Sequence, residues 1–395
     1  MEHRDDVIVV GAGPVGFLTA LGLARKGIRV TLLEAESGIN SSPRAAIYFP
    51  TTSEILDKLG VLDDAEAIGL PSTRFSLRVP SMNEIIYSDL STNMEPGTKY
   101  DHNLHLGQHL LAGVIHQHLK RLPNAQVLWN HKLVSLSQNK DGVVLGVGTP
   151  DGARELKADW VVGTDGARSS VRSLLGLSFE GFTWPDRFVA TNVAFDFEKY
   201  GFERANMICD PVNWAVVARL GRENLWRVTF GEDAALPEDD VYARIPSHYA
   251  AIFPSDEPYR IVAWSPYRVQ ERCAPAFRVG RALLAGDAAH ACNPCGGMGL
   301  TTGVIDADAL IQVLGAVIEG RANDSVLDFY AEERRRVFRD VTTNLATNYK
   351  RMMSEKDPAR RKADVDGFRT NIENPDKSQA ATSLSKLIFG NPMPV

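Results

Sequence analysis

The sequence predicts an α/β protein with a Rossmann-like domain, a second domain built on a mixed β-sheet, and a C-terminal helical segment. Three observations predict it. Glycine-rich turns recur at three places, each directly after a short apolar run and ahead of a helical pattern. Between the second and third turns lie residues that alternate apolar and polar, the period of half-buried strands. Beyond the third turn, residues 326–354 carry the apolar stripe of a long amphipathic helix. A chain of 395 residues also exceeds what one hydrophobic core usually holds, which argues for about two to three domains.

The first turn lies in DDVIVVGAGPVGFLTALGLARKGIRVTLLEAE. Val7 to Val10 form a short apolar strand, Gly11, Gly13 and Gly16 follow in G-x-G-x-x-G spacing, and a helix carrying Ala20 runs to a stop at Gly27. A second strand ends in Glu34. Gly11 permits a tight turn, Gly13 lets backbone approach a pyrophosphate, and Gly16 lets helix and strand pack closely. The helix start offers unpaired N–H groups and a positive dipole end to an anion. Glu34 stands about 20 residues on, where an acidic side chain accepts hydrogen bonds from ribose hydroxyls. Pro14, Val15 and Ala35 are the flanking candidates. The pattern fits an adenosine diphosphate group and does not separate NAD(P) from FAD.

ADWVVGTDGARSSVRSLLG supplies the second turn, with a strand from Trp160 to Gly163, Asp165 and Gly166 in the turn, and Ser169 and Arg172 at a helix start. Alone, it is also an ordinary strand, turn and serine-capped helix. The third turn lies in RALLAGDAAHACNPCGGMGLTTG. A buried strand leads to Gly286 and Asp287 at its carboxyl end, where open α/β sheets hold ligands. Pro294, Gly296, Gly297 and Gly299 then precede a helix predicted from about Leu300 to Leu314. Turns so far apart suit two ligands, or the two ends of one long ligand.

In this order the segments resemble the flavin-dependent class A aromatic hydroxylases related to para-hydroxybenzoate hydroxylase. Gly11, Gly13 and Gly16 match the first motif, and Asp165, Gly166, Ser169 and Arg172 match DGxxSxxR. Gly286 to His290 match the Gly-Asp motif, followed by Pro294, Gly296, Gly297, Gly299, Gly303, Asp306 and Ala307. Arg44 and Gln108 resemble the family's flavin-contacting arginine and glutamine, while Thr301 stands where the family often has asparagine. The likeness runs from residue 5 to about residue 350. It implies FAD, with its adenosine diphosphate end on the first turn and a ribityl hydroxyl on Asp287. The pyrimidine side of the ring would face Gly297, Met298, Gly299 and Leu300. It further implies NADH or NADPH as reductant, O2 as co-substrate, and hydroxylation of a small phenolic or heteroaromatic ring through a flavin C4a-hydroperoxide. A flavin-dependent oxidase or dehydrogenase on the same scaffold stays open, as does a catalytically idle flavin- or aromatic-binding protein. The halogenase motif WxWxxP is absent, as are the second GxGxxG and the FxGxxxHxxxW of two-Rossmann Baeyer-Villiger enzymes.

By analogy with the family's split arrangement, the FAD-binding domain takes residues 1–72, 101–183 and 272–325. The substrate-binding sheet takes 73–100 and 184–271, and the C-terminal helix and tail take 326–395. In NWAVVARLGRENLWRVTFGED two strands meet in a hairpin around Gly221 to Asn224. Trp214, Val216 and Ala218 face one way and Val217 and Arg219 the other, while Trp226, Val228 and Phe230 oppose Arg227 and Thr229. One face is expected to cover a pocket over the flavin, where an arginine would pair with a substrate carboxylate or phenolate. An outward, solvated arginine is the plain alternative. Tyr48, Trp214, Trp226, Arg227, Tyr267 and Pro294 are the candidate substrate residues. No catalytic base emerges, and His290 reads as a structural partner of the Gly-Asp turn.

A net charge of −6 argues against nucleic acid as a partner. No run of about 18 apolar residues and no leader is found, so no membrane partner and a cytoplasmic location are expected. Four cysteines suit a reducing compartment. Cys292 and Cys295 make a single C-x-x-C, whereas zinc normally takes four ligands, so no metal is expected. His102, His105, His109, His116 and His118 read as partly exposed residues around a strand-to-helix transition. The tail, polar until Leu387 to Phe389, is expected to wrap the core or a sister subunit, which leaves a homodimer open. The phenol hydroxylase branch adds a thioredoxin-like domain for which this chain is too short.

Overall fold

The computed structural model describes residues 5–93, 99–374 and 387–395. Residues 94–98 of the substrate segment, 375–386 of the tail and 1–4 before the first strand lie outside the described residues.

Apolar runs at the N-terminus build the first sheet. Asp5–Val10 lies between Gly152–Gly163 and Val30–Leu33, with Ala282–Leu284 and Ala125–Leu128 outside them, all paired in parallel. Strands covered on both faces favour continuous Val, Ile and Leu over alternation. The strand predicted at Trp160–Gly163 is longer. From Gly152 to Ala158 it pairs antiparallel with Gly142–Thr149, and from Ala158 onward it pairs parallel with Asp5–Val10. Helices Pro14–Arg25, Gln108–Leu119 and Met298–Ile318 join this core, the last running past the predicted Leu300–Leu314 at both ends. By length and composition Cys295–Ile318 would suit a membrane span, but 78% of its apolar window is buried inside the protein.

The second sheet runs, edge to edge, His290–Ala291, Arg260–Cys273, Glu180–Ala194, Leu225–Asp233, Ala215–Arg219, Ala205–Ile208, Arg74–Val79, Glu84–Asp89. It is mixed because Ala205–Ile208 pairs parallel with Arg74–Val79. His290–Ala291 comes from the segment assigned to the first domain, so this sheet directly abuts the Gly-Asp turn. In the hairpin, Ala215 pairs with Phe230, Val217 with Val228 and Arg219 with Trp226. Ala215, Val217, Trp226, Val228 and Phe230 pack under helix Val241–Ile252, and the opposite face carries Trp214 and Phe188. A small sheet of Ile47–Tyr48, Asn103–His105 and Leu70–Ser72 completes the fold.

The single helix predicted over 326–354 divides. Ser325–Val337 packs in the first core, a π-helical turn spans Phe338–Thr342, and Thr343–Ser354 joins the second sheet. At the turn, the Phe338 ring stacks 4.3 Å from His290 and Thr342 Oγ1 lies 3.0 Å from Thr302 Oγ1. The tail also holds an unforeseen helix, Pro358–Glu373. Its signal was legible: the Asp357 carboxylate accepts from the Ala359 and Arg360 N–H groups, and Pro358 takes the first helical position. The helix covers the second sheet, with Arg361 donating to Ser81 Oγ at 2.9 Å and Phe368 6.1 Å from Phe75.

Candidate active site

Close packing of backbone shapes the first turn. A Cβ on Gly16 would lie 1.9 Å from the Gly11 carbonyl oxygen, and one on Gly11 2.6 Å from Asp165 Cα. Gly11 also has φ +102°, which disfavours any side chain. Gly13 differs: no protein atom lies within 4 Å of where its Cβ would stand. It opens helix Pro14–Arg25, which has no side-chain cap, so its first N–H groups remain for a ligand. Glu34 Oε2 accepts from Ala12 N–H at 2.8 Å and Oε1 from Glu36 N–H at 3.0 Å. A carboxylate offers about four acceptor sites, so capacity is left for ribose hydroxyls. Ala35 beside it is exposed and Val15 half-buried.

Asp165 braces this turn from below. Its carboxylate accepts from Ser169 Oγ and from the Ser170 and Val171 N–H groups at 2.6 and 3.2 Å, fixing the start of helix Ser170–Leu174. Gly166 follows with φ +79°. Arg172 then donates to Ala288 O at 2.9 Å, tying the second motif to the third.

Around the third turn, three residues reach the surface. Asp287, Pro294 and Gly297 are exposed amid buried neighbours, among them Gly286, Ala288, Cys295 and Met298. Gly297, at φ +69°, starts helix Met298–Ile318 without a side-chain cap, so N–H groups near Gly299 and Leu300 are again free for a ligand. The Thr301 hydroxyl donates back to Gly297 O at 2.9 Å, which leaves it no proton for a ligand. Cys292 and Cys295 are free thiols. Among the described residues no group of three His, Cys, Asp or Glu is placed to hold a metal.

The two ends converge with the second sheet near Arg44. Its backbone carbonyl accepts from Arg227 Nη1, its guanidinium lies 5.8 Å from the Tyr267 ring centre, and Ala45 O accepts from Gln108 N–H at 3.1 Å. Tyr48 is 1% exposed, and among the described residues its hydroxyl has no partner. Burial pushes the Tyr48 and Tyr267 phenols well above the usual tyrosine value, so both remain neutral donors. Phe49, which the sequence did not suggest, packs its ring against Gly297. Trp214 shares the Arg227 face but sits behind it, 4.7 Å from the Phe188 ring. Trp226 is a correction. It is fully buried on the other face, 5.1 Å from Phe197, because adjacent strand residues point oppositely and Arg227 takes the site face.

The clustered histidines diverge. His105 is buried and donates through Nδ1 to Arg219 O, His118 meets Asp64, His102 meets Asp101 and Glu66, and His116 packs on Phe17 and Trp129. His109 is half-buried beside Gly107. Behind the third turn, Asp306 Oδ2 accepts from Gly286 N–H at 3.1 Å and pairs with His290 Nε2 at 2.6 Å, while Oδ1 accepts from Arg334 Nε at 2.7 Å. Burial alone would raise the Asp306 carboxyl, but His290 and Arg334 together hold it at about 2. Hydrogen bonds from Arg336 hold Glu333 at about 2, and burial lowers His105 to about 4.

These shifts give two pH windows. Native His105 resists a proton that the unfolded chain accepts, so stability falls as pH drops from about 6.5 toward 4. Asp306 and Glu333 contribute stability fully present above their unfolded values near about 4 and lost as pH falls toward 2. Melting temperature measured against pH should decline in both windows, and His105→Leu should flatten the upper one.

The FAD binding domain family matches the chain over residues 4–345. The chain belongs to the FAD-dependent aromatic monooxygenases. The para-nitrophenol 4-monooxygenase of Pseudomonas sp. strain WBC-3 is 45% identical over 91% of this chain and 90% of its own. The 6-hydroxy-3-succinoylpyridine 3-monooxygenase HspB of Pseudomonas putida S16 is 41% identical over 96% of this chain and 97% of its own. The crystal structure of p-nitrophenol 4-monooxygenase PnpA from Pseudomonas putida DLL-E4 superposes with a TM-score of 0.95 at 43% identity, covering 99% of this chain and 100% of that one.

The monooxygenase thus has residues that fit FAD. The open space over Gly13, the spare acceptors of Glu34, the exposed Asp287 and two uncapped helix starts all face where such a ligand would lie. Gly11 to Gly16 and Glu34 would hold the adenosine diphosphate end, Asp287 a ribityl hydroxyl, and the backbone from Gly297 to Leu300 the ring. FAD supplies the electron transfer and oxygen activation that these side chains lack. The chain's own task is to bind, orient and shield the substrate ring. Asp306 was legible only as a motif match without a role, and Arg334, Phe49 and Asn192, whose side-chain oxygen accepts from Arg227 Nε, were not legible at all, since their partners are set by tertiary contacts.

Proposed function

We propose that the enzyme hydroxylates a small phenol or hydroxypyridine bound as its anion against Arg227, with NADH or NADPH as electron source. One observation carries this reading. Arg227 is 8% exposed, and among the described residues its side chain meets only neutral acceptors, Asn192 Oδ1 at 2.8 Å and the Arg44 carbonyl. Burial lowers its pKa to about 10, still leaving it charged at neutral pH. A buried cation without a carboxylate favours an anionic ligand. The two Pseudomonas relatives support it, because para-nitrophenol and 6-hydroxy-3-succinoylpyridine both carry a ring hydroxyl. In both names the numbered reaction position is para to that hydroxyl, so we place the new oxygen on that carbon, which gives up a proton to leave a dihydroxy ring or, where it bears an anionic leaving group such as nitrite, gives up that group to leave a quinone.

The test follows NADH and NADPH consumption over para-substituted phenols and hydroxypyridines, with product analysis. Stimulated consumption with a hydroxylated product is expected. Flavin binding without stimulation across the panel would overturn the reading. Arg227→Met should raise KM by about ten- to a hundred-fold with a smaller effect on kcat, because a charge-assisted contact is removed. An unchanged KM would remove Arg227 from the substrate site.

A further inference from the structure

Far from the substrate pocket, residues 387–395 reach the cofactor turn through a buried chain of hydrogen bonds. Ile388 is 5% exposed and packs in the first core, with Phe389 and Met393 against it. The Ile388 and Phe389 carbonyls accept from Arg334 Nη1 at 3.0 and 2.9 Å. Asn391 N–H donates to Glu333 Oε1 at 2.6 Å, the next residue on the same helix. Arg334 is fully buried and passes its Nε–H to Asp306, whose other oxygen holds Gly286 N–H and His290. Gly286 leads directly into Asp287.

We propose that residues 387–395, acting through Arg334 and Asp306, hold the Gly286-Asp287 turn in its FAD-binding shape and so position the ribityl end of the cofactor. Among the described residues Arg334 Nη2 has no partner. Removing the two tail carbonyls strands Nη1 as well, and a guanidinium so exposed to unmet desolvation turns toward water. Asp306 then loses a partner while remaining buried, and its grip on Gly286 N–H loosens. The adenosine diphosphate end would be held by Gly11 to Gly16 and Glu34, whose hydrogen bonds to Ala12 and Glu36 lie outside this chain of contacts.

The inference rests on the FAD assignment, and its test separates the two. Two variants remove the tail contact: a chain ending at residue 386, and Gly390→Ala. Gly390 has φ +75°, and a Cβ there would lie 2.6 Å from Glu333 Oε1 and 2.7 Å from Val337 Cγ2, pushing the tail off the helix. FAD affinity is read by quenching of flavin fluorescence and ADP affinity by calorimetry. Both variants should bind FAD about ten-fold more weakly while ADP binding stays unchanged. Unchanged FAD affinity overturns the proposal, as does an equal loss for FAD and ADP, which reports a general loosening of the fold. A wild-type chain that takes up ADP but not FAD would overturn the cofactor assignment itself.

Discussion

Gly16→Ala is expected to lose both FAD binding and stability, whereas Gly13→Ala should lose FAD binding alone. The new Cβ at position 16 would stand 1.9 Å from the Gly11 carbonyl oxygen and 2.6 Å from Thr164 Oγ1. The first neighbour is backbone, in a turn whose Thr164 hydroxyl already donates to Val10 O and Gly11 O, so nothing there can yield cheaply. Overpacking of this kind costs about 3 kcal/mol, the upper end of its usual range, and separates helix Pro14–Arg25 from its strand. At position 13 the Cβ meets no protein atom, and the backbone, at φ −75° and ψ 176°, is one any residue adopts. It would meet only the ligand. Thermal melts of the apoproteins alongside FAD titrations distinguish the two. If Gly13→Ala kept wild-type FAD affinity, the space above it would not be the pyrophosphate site.

Asp306→Ala should destabilise the chain by about 3–5 kcal/mol even without cofactor, because it leaves a buried charge uncompensated. Asp306 and Arg334 are both fully buried, and the one carboxylate serves Arg334, His290 and Gly286 N–H at once. Asp306→Asn keeps the shape and one acceptor, so it should cost less and should also abolish the acid-range stability attributed to the carboxylate. Urea unfolding at pH 7 and pH 3 measures both effects. A loss under about 1 kcal/mol for the alanine variant would mean that water replaces the carboxylate, and the buried network would not be holding the turn.

Local sequence was enough for the parts governed by neighbours along the chain. The G-x-G-x-x-G turn, the strand before it and the acid after it lie within one stretch from Asp5 to Glu34, where hydrophobic period and glycine spacing act at short range. Alternation likewise placed Trp226 and Arg227 on opposite faces of one strand, but not which face met the site. That depended on helix Val241–Ile252 covering the Trp226 side. The Asp357-Pro358 helix start was readable and overlooked in a polar segment, while the π-helical turn at Phe338–Thr342 follows from contacts with His290 and Thr302 that no local pattern encodes.

By itself the sequence pointed to an adenosine diphosphate cradle, since close backbone approach to a phosphate demands glycines at fixed spacing, while the choice of FAD came from the joint resemblance of three motifs to the class A hydroxylases. Tertiary structure alone decided the partners of Arg227 and the hydrogen bonds around the Gly286-Asp287 turn. Arg227 reaches the Arg44 carbonyl, and Arg334 links Asp306 to the tail, across separations at which sequence carries no geometric information. The physical reason is range. Backbone conformation is set by adjacent residues, but the burial of a charge and the identity of its partner are fixed only when distant segments pack.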